Sequence, residues 1–530
     1  MVIPNLIFFM SRKISFILCL LVITSVLTLP GFLSAQKADA PKQGWVEGEL
    51  LVKFRSGGNS FASKDANEKV GASLLETLGD SNWQRVRLPN GITIEDAISK
   101  YKESDDVEFA QPNFYYHLLV TPNDPQFTNA GMYGLTKISA PSAWDLSTGS
   151  PAVVVADIDT GMRYTHQDLA ANAWVNTGEI AGNNIDDDGN GFVDDVNGWD
   201  FFYNDSNPID DAGGHGTHTA GTIGAVGNNL LGVVGVNWSV KIMPIKIYSP
   251  NGGDSTSAML VNAYNYIRMM KLRGVNIRVT NNSYGGCGEA CGYDQATKDG
   301  IDAMGNAGIL NVFAAGNSNS NNDISPSGSY PSVYTSPSIL SVAASTSTDA
   351  KASFSCWGPI SVDLAAPGAG ILSTWNTSDS STNTISGTSM ATPHTTGAAA
   401  LLSALNPNLS VASLKATLMN TVDVIPAWSG LVKTGGRLNI FSAMQNQTVC
   451  TFPTAISVLT KGGIYNVNLT PGQNCDYMVK SNTNWIKVMS GQTLSGNSTL
   501  TFRVPPNPTI SRTGTISISG QTFTVVQKRN

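Results

Sequence analysis

The sequence predicts a doubly wound, mostly parallel α/β domain, preceded by a small α+β unit and followed by an all-β sandwich. Over residues 120–446, short continuous apolar runs alternate with segments rich in small residues, which is typical of strands buried on both faces of a parallel sheet. Residues 36–119 are richer in charge, and residues 450–530 alternate apolar and polar residues between Gly, Pro and Asn turns. We therefore expect one folded domain for each of these segments.

The N-terminal segment predicts export. A basic pair at residues 12–13 precedes an apolar run over residues 14–29, and small residues provide a cleavage site after Ala35. A transmembrane anchor is the competing interpretation, but Pro30 breaks the run and no basic flank follows it. We therefore expect residues 1–35 to be a signal peptide and the protein to be secreted to the extracellular space.

The composition is that of an extracellular protein. Charged residues make up only 13% of the chain, and the net charge of −7 argues against nucleic-acid binding. We expect a monomer. An oxidising compartment favours the disulfide pairs Cys287–Cys291 and Cys450–Cys475, which leaves Cys356 free.

The first folded unit has the order strand, helix, strand, helix, strand. Over residues 36–117 there are 10 Lys or Arg and 13 Asp or Glu, so 23 of 82 residues are charged, against 13% of the whole chain. Periodicity predicts strands at "WVEGELLVKF", "WQRVRL" and "VEFAQPNFYY". It predicts helices at "SFASKDANEKVGASLLETL" and "TIEDAISKYK".

The central domain is expected to place its functional groups where strands end. Its strand-like runs are "PAVVVADID", "KIMPIKI", "NIRVTNNS", "GILNVFAAGN" and "ILSVAAS". In a doubly wound sheet, functional side chains collect at the carboxyl ends of the strands. The polar residues that follow each run are therefore the first candidates for a site.

Three segments at element boundaries carry the residue types of a hydrolase. Asp159 ends a strand in "DIDTG", His215 begins a helix in "GGHGTHTAGT", and Ser389 enters a helix from a glycine turn in "SGTSMATPH". A helix N-terminus favours developing negative charge. Serine is a weak nucleophile unless a base lies within hydrogen-bond reach and an acid orients that base. The joint occurrence of the three segments predicts nucleophilic catalysis.

The order of the motifs "DTG", "HGTHTAGT" and "GTSMATPH" resembles that of the subtilisin-like serine peptidases over residues 120–446. The resemblance implies the subtilisin-like fold and an endopeptidase acting on protein or peptide substrates. It implies Ser389 as nucleophile, His215 as general base and then acid, and Asp159 as the carboxylate that orients His215. Two other functions stay open: a catalytically silent binding protein on the same scaffold, and an esterase using the same triad.

The resemblance also implies residues that bind the reacting substrate. "NVFAAGN" makes Asn317 the side-chain donor to the oxyanion, and "NNSYGG" resembles the strand that pairs with the substrate backbone. The expected substrate-binding residues are Ser283, Tyr284, Gly285, Ala315 and Gly316. No charged residue marks the expected S1 pocket, which predicts broad specificity for uncharged P1 side chains.

Two features depart from the family pattern. Asp157 lies where an apolar residue is usual, and on a strand it faces the same side as Asp159. Either Asp157 competes for His215 or it is a hydrogen-bonded buried acid, and the "DTG" motif favours Asp159 as the catalytic residue. The segment "GGCGEAC" places the Cys287–Cys291 loop after the substrate strand, either as a rim of the cleft or as a simple loop staple.

Structural calcium is common in the family, and calcium binds oxygen ligands. The resemblance implies a site at the loop "GNNLLGVVG", completed by two aspartates. The expected ligands are Asp124, Asp168, Gly227, Asn229, Leu231 and Val233. No catalytic metal is expected.

A second candidate calcium loop is the stretch "NNIDDDGNGFVDD", residues 183–195, which lies between Asp159 and His215 as an insertion. Its spacing follows the first part of an EF-hand loop, but Asn197 stands where that loop has its bidentate glutamate. The stretch either binds calcium or is a solvated acidic turn. The expected ligands are Asp186, Asp188, Asn190 and Asp194.

The flanking segments have resemblances of their own. Residues 36–119 resemble the inhibitory propeptide of these enzymes, which implies an intramolecular inhibitor and chaperone released by self-cleavage between Tyr116 and Val120. Residues 450–530 resemble BACON-like β-sandwich modules, which implies binding to polysaccharide or another surface polymer. A passive stabilising or sorting domain is the alternative for this tail.

Overall fold

The computed structural model describes residues 45–528 with internal gaps. The gaps are residues 80, 115–119, 212, 250–254, 286–291, 325–327, 449, 472–474 and 508–509. The predicted signal peptide, the chain just after Tyr116 and the Cys287–Cys291 pair lie outside the described residues. Within the described part, no helix combines the length and the apolar character that crossing a membrane requires.

The first described unit is an antiparallel sheet packed against two helices. Its elements are β1 (Trp45–Phe54), α1 (Phe61–Val70), β2 (Ser73–Thr77), β3 (Trp83–Arg87), α2 (Ile94–Tyr101) and β4 (Val107–Phe114). The strands lie in the order β2-β3-β1-β4. Alternate residues of β1, namely Leu50, Val52 and Phe54, are fully buried in one core with residues of both helices.

The helix predicted over residues 60–78 is wrong in its second half. Helix α1 ends at Val70 because Gly71 adopts the left-handed conformation (φ 78°), and its amide donates to the carbonyls of Asn67 and Glu68. The next residues pair with β3 as strand β2. The sequence "SLLET" fits either element, so pairing with β3 decides its conformation.

The central domain is built on a nine-stranded sheet. The strands of this domain are β5 (Gly149–Asp159), β6 (Trp199–Asp200), β7 (Ser239–Lys246), β8 (Ile277–Asn282), β9 (Leu310–Ala314), β10 (Ile339–Ser345), β11 (Leu364–Pro367), β12 (Ile371–Thr374), β13 (Thr382–Ile385), β14 (Asp423–Val424) and β15 (Gly436–Arg437). The sheet order is β14-β15-β11-β10-β9-β8-β5-β7-β6, and β12 and β13 form a separate hairpin. Neighbouring strands of the large sheet are parallel except β14 and β15.

Helices cover both faces of this sheet. They are α3 (Tyr133–Lys137), α4 (Ala140–Trp144), α5 (His215–Gly224), α6 (Ser257–Leu272), α7 (Gln295–Asn306), α8 (Thr388–Leu405), α9 (Val411–Asn420) and α10 (Ile440–Gln445). Helices α5 and α8 belong to one hydrophobic core, and α6 and α7 belong to the other. The predicted doubly wound α/β class is therefore confirmed.

The C-terminal domain consists of two small sheets that enclose a core. Its strands are β16 (Ala455–Val458), β17 (Gly463–Leu469), β18 (Asp476–Ser481), β19 (Lys487–Val488), β20 (Thr493–Ser495), β21 (Ser498–Val504), β22 (Arg512–Ile518) and β23 (Gln521–Gln527). The sheet orders are β16-β23-β22-β18-β20 and β17-β21-β19. A disulfide joins Cys450 to Cys475, and Cys356 is a buried free thiol.

The C-terminal domain packs directly on the central domain. Ala416 of α9 belongs to the hydrophobic core of the sandwich. Ser517 Oγ donates to the carbonyl of Asn306 at 3.1 Å. Gly520 lies so close to Gly308 that a Cβ added at Gly520 would stand 2.8 Å from the Gly308 Cα. The end of α7 and the face of α9 therefore form the interface with the sandwich.

Candidate active site

The sheet topology places the predicted site at a point where the chain changes direction. Strand β5 has β7 on one side and β8 on the other, so the chain winds outward from β5 both ways. Ligands of doubly wound folds bind in the crevice at the carboxyl ends of such strands. Asp159 is the last residue of β5, and Ser283 directly follows β8. The structure thus brings these two predicted segments to one edge of the sheet.

Asp159 and His215 are directly hydrogen-bonded. Asp159 Oδ1 lies 2.7 Å from His215 Nδ1, and the carboxylate is buried whereas the imidazole is 33% exposed. His215 is the first residue of α5, so its side chain is held at the edge of the sheet. Burial lowers the pKa of His215, but the charge and hydrogen bond of Asp159 outweigh this and raise it above 6.5. The pair has the geometry of a base held by its orienting acid.

Ser389 lies in the first turn of α8, beside the segment that follows β8. Its side-chain hydroxyl donates to the carbonyl of Ser283 at 3.0 Å, and the residue is only 9% exposed. To donate to His215, the O–H bond has to turn away from the Ser283 carbonyl. Such loosely aligned nucleophiles are common in enzymes without substrate.

Asn317 is oriented by the same turn. Its Oδ1 accepts hydrogen bonds from the backbone amide and the hydroxyl of Thr388, both at 2.9 Å. The Nδ2 group is thereby left as the free end of the amide, and it lies 3.6 Å from the position of a Cβ added at Gly387. Asn317 is exposed. A donor held in this way is suited to an oxyanion next to the start of α8.

Asp157 does not take the position of Asp159. Its carboxyl group is bonded to Asn281 Nδ2 at 2.8 Å and to Thr219 Oγ1 at 3.0 Å. The residue is 2% exposed. The carboxylate that accepts the hydrogen bond from the His215 ring is that of Asp159.

The predicted substrate-binding segments lie against one turn. A Cβ added at Gly285 (φ 134°) would stand 2.8 Å from the carbonyl of Tyr330, and one added at Gly316 (φ 105°) would stand 2.8 Å from Ser329 Oγ. Both glycines are therefore required by close approach as well as by backbone conformation. The other predicted members, Ser283, Tyr284 and Ala315, adjoin them in sequence.

The first predicted calcium site is partly assembled. Asp124 and Asp168 are buried, and they accept backbone hydrogen bonds from opposite ends of the loop, at Asn228 (2.7 Å) and Val233 (2.9 Å). Among the described residues, neither carboxylate has a Lys or Arg partner within 4.0 Å. Burial raises the pKa of both carboxyls. Two uncompensated buried acids facing one loop fit a divalent cation.

The remaining predicted ligands of this site lie on the same loop. Asn229 Nδ2 donates to Asp168 Oδ1 at 3.0 Å, while Asn229 Oδ1 accepts from the amide of Leu231 at 2.8 Å. Asn229 Oδ1 keeps a second lone pair that is available to an ion, because the amide of Leu231 uses only one. Gly227 is held by packing, since an added Cβ would stand 2.3 Å from the Trp238 ring.

The acidic insertion gathers a set of carboxylates that differs from the predicted one. Oxygens of Glu179, Asp188 and Asp195 lie within 4.8 Å of one another. Asp186 accepts instead from the amides of Asn190 and Gly191, and Asp194 accepts from those at residues 182–184. Asn190 contacts both Asp188 and Asp195 through Nδ2. Of the predicted acids, only Asp188 belongs to the cluster.

Asp195 is the most enclosed member of this cluster. It accepts hydrogen bonds from Asn176 (2.8 Å), Asn190 (2.9 Å) and the Tyr266 hydroxyl (2.6 Å). Burial raises the pKa of Asp195 to about 6. The sequence offered a signal for Asp195, which ends the acidic stretch, but Glu179 lies outside that stretch and only the fold brings it in.

Sequence reasoning also missed the residues that orient the catalytic groups. Thr388 fixes the amide of Asn317, and Thr219 and Asn281 hold Asp157. The signal for Thr388 was present in the "GTS" motif, next to Ser389. Thr219 and Asn281 lie in the motifs "HGTHTAGT" and "NNSYGG". Their contacts with Asp157 gave no signal, because these contacts cross between elements far apart in the chain.

Comparison with protein families identifies three segments. The subtilase family, peptidase S8, matches residues 150–450, more than half of the chain. The fervidolysin N-terminal prodomain matches residues 34–113, and the BACON domain matches residues 476–528.

Individual relatives are proteases. Thermitase from Thermoactinomyces vulgaris is 36% identical over 325 residues, which is 61% of this chain and 99% of that protein. An extracellular protease from Xanthomonas campestris pv. campestris is 30% identical over 436 residues, 76% of this chain and 73% of that one. Among solved structures, a protease from Pseudoalteromonas arctica is 28% identical, covers 61% of this chain and 99% of its own, and has a TM-score of 0.49.

Proposed function

The chain belongs to the subtilase family of serine endopeptidases, and we propose that it is secreted as a zymogen and hydrolyses peptide bonds with broad specificity. The observation that carries the catalytic part of this proposal is the 2.7 Å hydrogen bond between Asp159 and His215 at the start of α5, which shares a hydrophobic core with α8, the helix of Ser389. Secretion is supported by the signal-like N-terminus and by similarity to an extracellular protease.

The proposed mechanism uses a covalent intermediate. Ser389 Oγ attacks the carbonyl carbon of the scissile peptide while His215 takes the hydroxyl proton. His215 then gives this proton to the nitrogen of the leaving amine, and the C–N bond breaks. Water, deprotonated by His215, attacks the acyl carbon, the ester bond to Ser389 Oγ breaks, and His215 returns the proton to this oxygen. Asp159 stays ionised and keeps the imidazole in the tautomer that accepts the proton at Nε2.

The oxyanion of the tetrahedral intermediate is proposed to bind at the start of α8. Asn317 Nδ2 and the backbone amide of Ser389 are the two donors. Thr388 holds the Asn317 amide through both of its hydrogen bonds, so the donor needs no reorganisation during the reaction.

The experiment that tests this function is labelling with a fluorophosphonate, followed by turnover of casein and of a small ester. We expect covalent modification of Ser389 and hydrolysis of both substrates, because acyl-enzyme chemistry serves peptides and esters. Absence of labelling would identify a silent binding protein. Labelling with turnover of the ester alone would identify an esterase.

The pH dependence of kcat/KM follows from the His215 pKa. The base works only when neutral, and its pKa lies above 6.5, so kcat/KM is expected to fall as the pH is lowered through a midpoint above 6.5.

In Asp159→Asn, the midpoint is expected to move to lower pH because the neighbouring charge is gone. This variant is also expected to lose about 10⁴-fold in kcat, because the imidazole takes the wrong tautomer. A pH–rate profile of both proteins measures each effect, and near-normal activity in Asp159→Asn contradicts the assignment.

Residues 36–119 are proposed to inhibit the enzyme and assist its folding until self-cleavage. Support comes from the match to the fervidolysin prodomain and from the compact core of β1, α1 and α2.

The expected substrate contacts are Ser283, Tyr284, Gly285, Ala315 and Gly316. Uncharged P1 side chains are expected, since the walls near Gly285 and Gly316 are formed by Tyr330 and Ser329.

Structural calcium is proposed at the loop that faces Asp124 and Asp168. The carboxylates of these two residues and Oδ1 of Asn229 would hold the ion, together with loop carbonyls of Gly227, Leu231 and Val233. When bound, calcium supplies positive charge that compensates the two buried acids. A second ion is proposed at the acidic insertion, held by Asp188 with Glu179 and Asp195.

The C-terminal domain is proposed to bind a polysaccharide or another surface polymer. This domain carries one acid, Asp476, against seven Lys or Arg residues over 450–530. Lys487 and Arg503 are exposed and directly opposite each other on β19 and β21. Such a basic sheet face favours an anionic polymer.

The test of this role keeps the domain in place, because its deletion would expose the α9 face. Lys487→Ala/Arg503→Ala is expected to weaken retention on an acidic polysaccharide or mucin matrix. The control Lys480→Ala/Lys528→Ala removes the same charge from β18 and from the residue after β23, and it is expected to be retained like the wild type. Equal retention of both variants and the wild type favours a stabilising domain, which the shared core with Ala416 also supports.

A further inference from the structure

Asp157 joins two elements that carry the proposed catalytic residues. Its Oδ2 lies 3.0 Å from Thr219 Oγ1, one turn along α5 from His215, and its Oδ1 accepts from Asn281 Nδ2 of β8 at 2.8 Å. The carboxyl group is buried, with 2% of the residue exposed. Asp157 therefore connects the helix that begins with His215 to the strand that leads to the substrate segment.

The same network continues into the helix of Ser389. Asn281 Oδ1 accepts from the Thr396 hydroxyl of α8 at 3.0 Å, and Asn281 Nδ2 also donates to Ser283 Oγ at 3.0 Å. The Ser283 hydroxyl in turn donates to the backbone carbonyl of Ser389 at 2.9 Å. Asn281 is therefore connected to α8 twice, directly through Thr396 and indirectly through Ser283. Asp157 connects Asn281 to Thr219 of α5.

The proton count of this network assigns the protonation state of Asp157. Thr219 has one hydroxyl hydrogen but lies 3.0 Å from two acceptors, Asp157 Oδ2 and the carbonyl of Gly216. An ionised Asp157 can only accept, so the one hydrogen of Thr219 would have to be shared between the two acceptors. If Oδ2 carries a proton, it donates to Thr219 Oγ1, and Thr219 donates to Gly216. Every contact then has one donor and one acceptor.

The electrostatic surroundings favour the same state. Burial, and then the charge of Asp159, raise the pKa of Asp157 well above its ordinary range. Asp159 faces it from the same strand and His215 faces it from α5. The adjacent strands present the neutral residues Pro244 and Asn281 opposite it. Among the described residues, no Lys or Arg lies within 4.0 Å of its carboxyl group.

We propose that Asp157 is a positioning residue which, as a neutral carboxylic acid, ties α5 to β8 and α8 beneath the triad and adds no second charge beside His215. The proposal rests on the catalytic roles proposed for Asp159, His215 and Ser389. Its consequence is that the three elements are held in one register while Asp159 alone sets the charge next to the imidazole.

The decisive variants are Asp157→Asn and Asp157→Ala, compared by the pH dependence of kcat and kcat/KM. An asparagine reproduces the pattern of the neutral acid, because Nδ2 donates to Thr219 and Oδ1 accepts from Asn281. We expect Asp157→Asn to keep kcat and the acid-limb midpoint close to wild type. We expect Asp157→Ala to lose about 10²-fold in kcat through misplacement of the triad, with an unmoved midpoint.

Controls separate positioning from general destabilisation. Asp363→Asn changes another buried acid, which lies away from the triad. The Asp363 carboxylate accepts a hydrogen bond from the amide of Ser341 at 2.9 Å. The kcat and the pH profile of this variant are expected to match those of the wild type. If Asp157→Ala does not fold, Thr219→Val serves as the second variant. It removes the hydroxyl that bonds to Asp157 and is expected to lower kcat. An infrared difference spectrum of wild type against Asp157→Asn is expected to show the carbonyl band of a protonated carboxyl group.

Three results overturn the inference. The first is a fall of the acid-limb midpoint by about one pH unit or more in Asp157→Asn, which indicates that Asp157 is ionised in the wild type. The second is a kcat of Asp157→Ala equal to that of the wild type. The third is the absence of the protonated-carboxyl band from the infrared difference spectrum. Fluorophosphonate labelling of the wild type distinguishes the levels of failure. If the wild type is labelled, these results overturn the role of Asp157 alone, whereas an unlabelled wild type overturns the proposed function.

Discussion

Replacing Ser389 with alanine is expected to abolish peptide hydrolysis and to leave the chain as an unprocessed precursor. The methyl group cannot attack a carbonyl, and self-cleavage after the propeptide needs the same nucleophile. The expected loss in kcat is about 10⁶-fold, the value known for removal of the nucleophile in subtilisin itself. Casein hydrolysis measures the first effect, and electrophoresis of the expressed protein with N-terminal sequencing measures the second.

The matched control is Ser380→Ala, which removes the hydroxyl of an exposed serine on the loop before β13. This variant is expected to mature and hydrolyse casein like the wild type. Normal maturation of Ser389→Ala would show that another protease removes residues 36–119. Residual casein turnover at the wild-type rate would remove Ser389 from the mechanism.

Removal of calcium is expected to lower the thermal stability of the mature enzyme and to accelerate its autolysis. Asp124 and Asp168 are buried acids without a described cationic partner, so loss of the ion leaves their charges uncompensated. A ligand present at 100 times its Kd stabilises the folded state by about 2.7 kcal/mol. Differential scanning calorimetry with calcium, and after chelation, measures the change in Tm.

The matched variant for this prediction is Asp168→Asn. An amide keeps the shape of the side chain but removes one charge, so chelation is expected to change Tm less than in the wild type. Magnesium, which demands a smaller octahedral site, is expected not to restore the lost stability. An unchanged Tm after chelation of the wild type contradicts a stabilising role for calcium.

The parallel sheet and the boundaries of its elements could be predicted from the sequence, because both depend on residues that are neighbours in the chain. The continuous apolar runs of β5, β7 and β10 predict a parallel sheet, since strands covered on both faces have no polar side. Short motifs around Asp159, His215 and Ser389 mark element boundaries. In contrast, "SLLET" became strand β2 because Gly71 ends α1 and β3 offers a partner, which periodicity alone does not decide.

The acidic insertion shows the same limit within a site. Its spacing suggested a loop in which Asp186, Asp188 and Asp194 converge, but two of these carboxylates bond to backbone amides instead. The carboxylates that lie close to Asp188 are instead those of Glu179 and Asp195, and the spacing of the acidic stretch predicts neither of them. Each carboxylate takes whichever donor the folded loop brings within reach, so the ligand set depends on tertiary structure.

By itself, the sequence determined the family, the doubly wound fold class and the candidate triad, because these depend on short motifs and on hydrophobic patterns along the chain. The "DTG" motif favoured Asp159 over Asp157, but only the tertiary structure shows that Asp159 is hydrogen-bonded to His215, since both residues face the same side of β5. It also decided what Asp157 does there, because its partners Thr219 and Asn281 lie 62 and 124 residues away. Hydrogen bonds act over a few ångströms, and only folding brings such distant groups within that range.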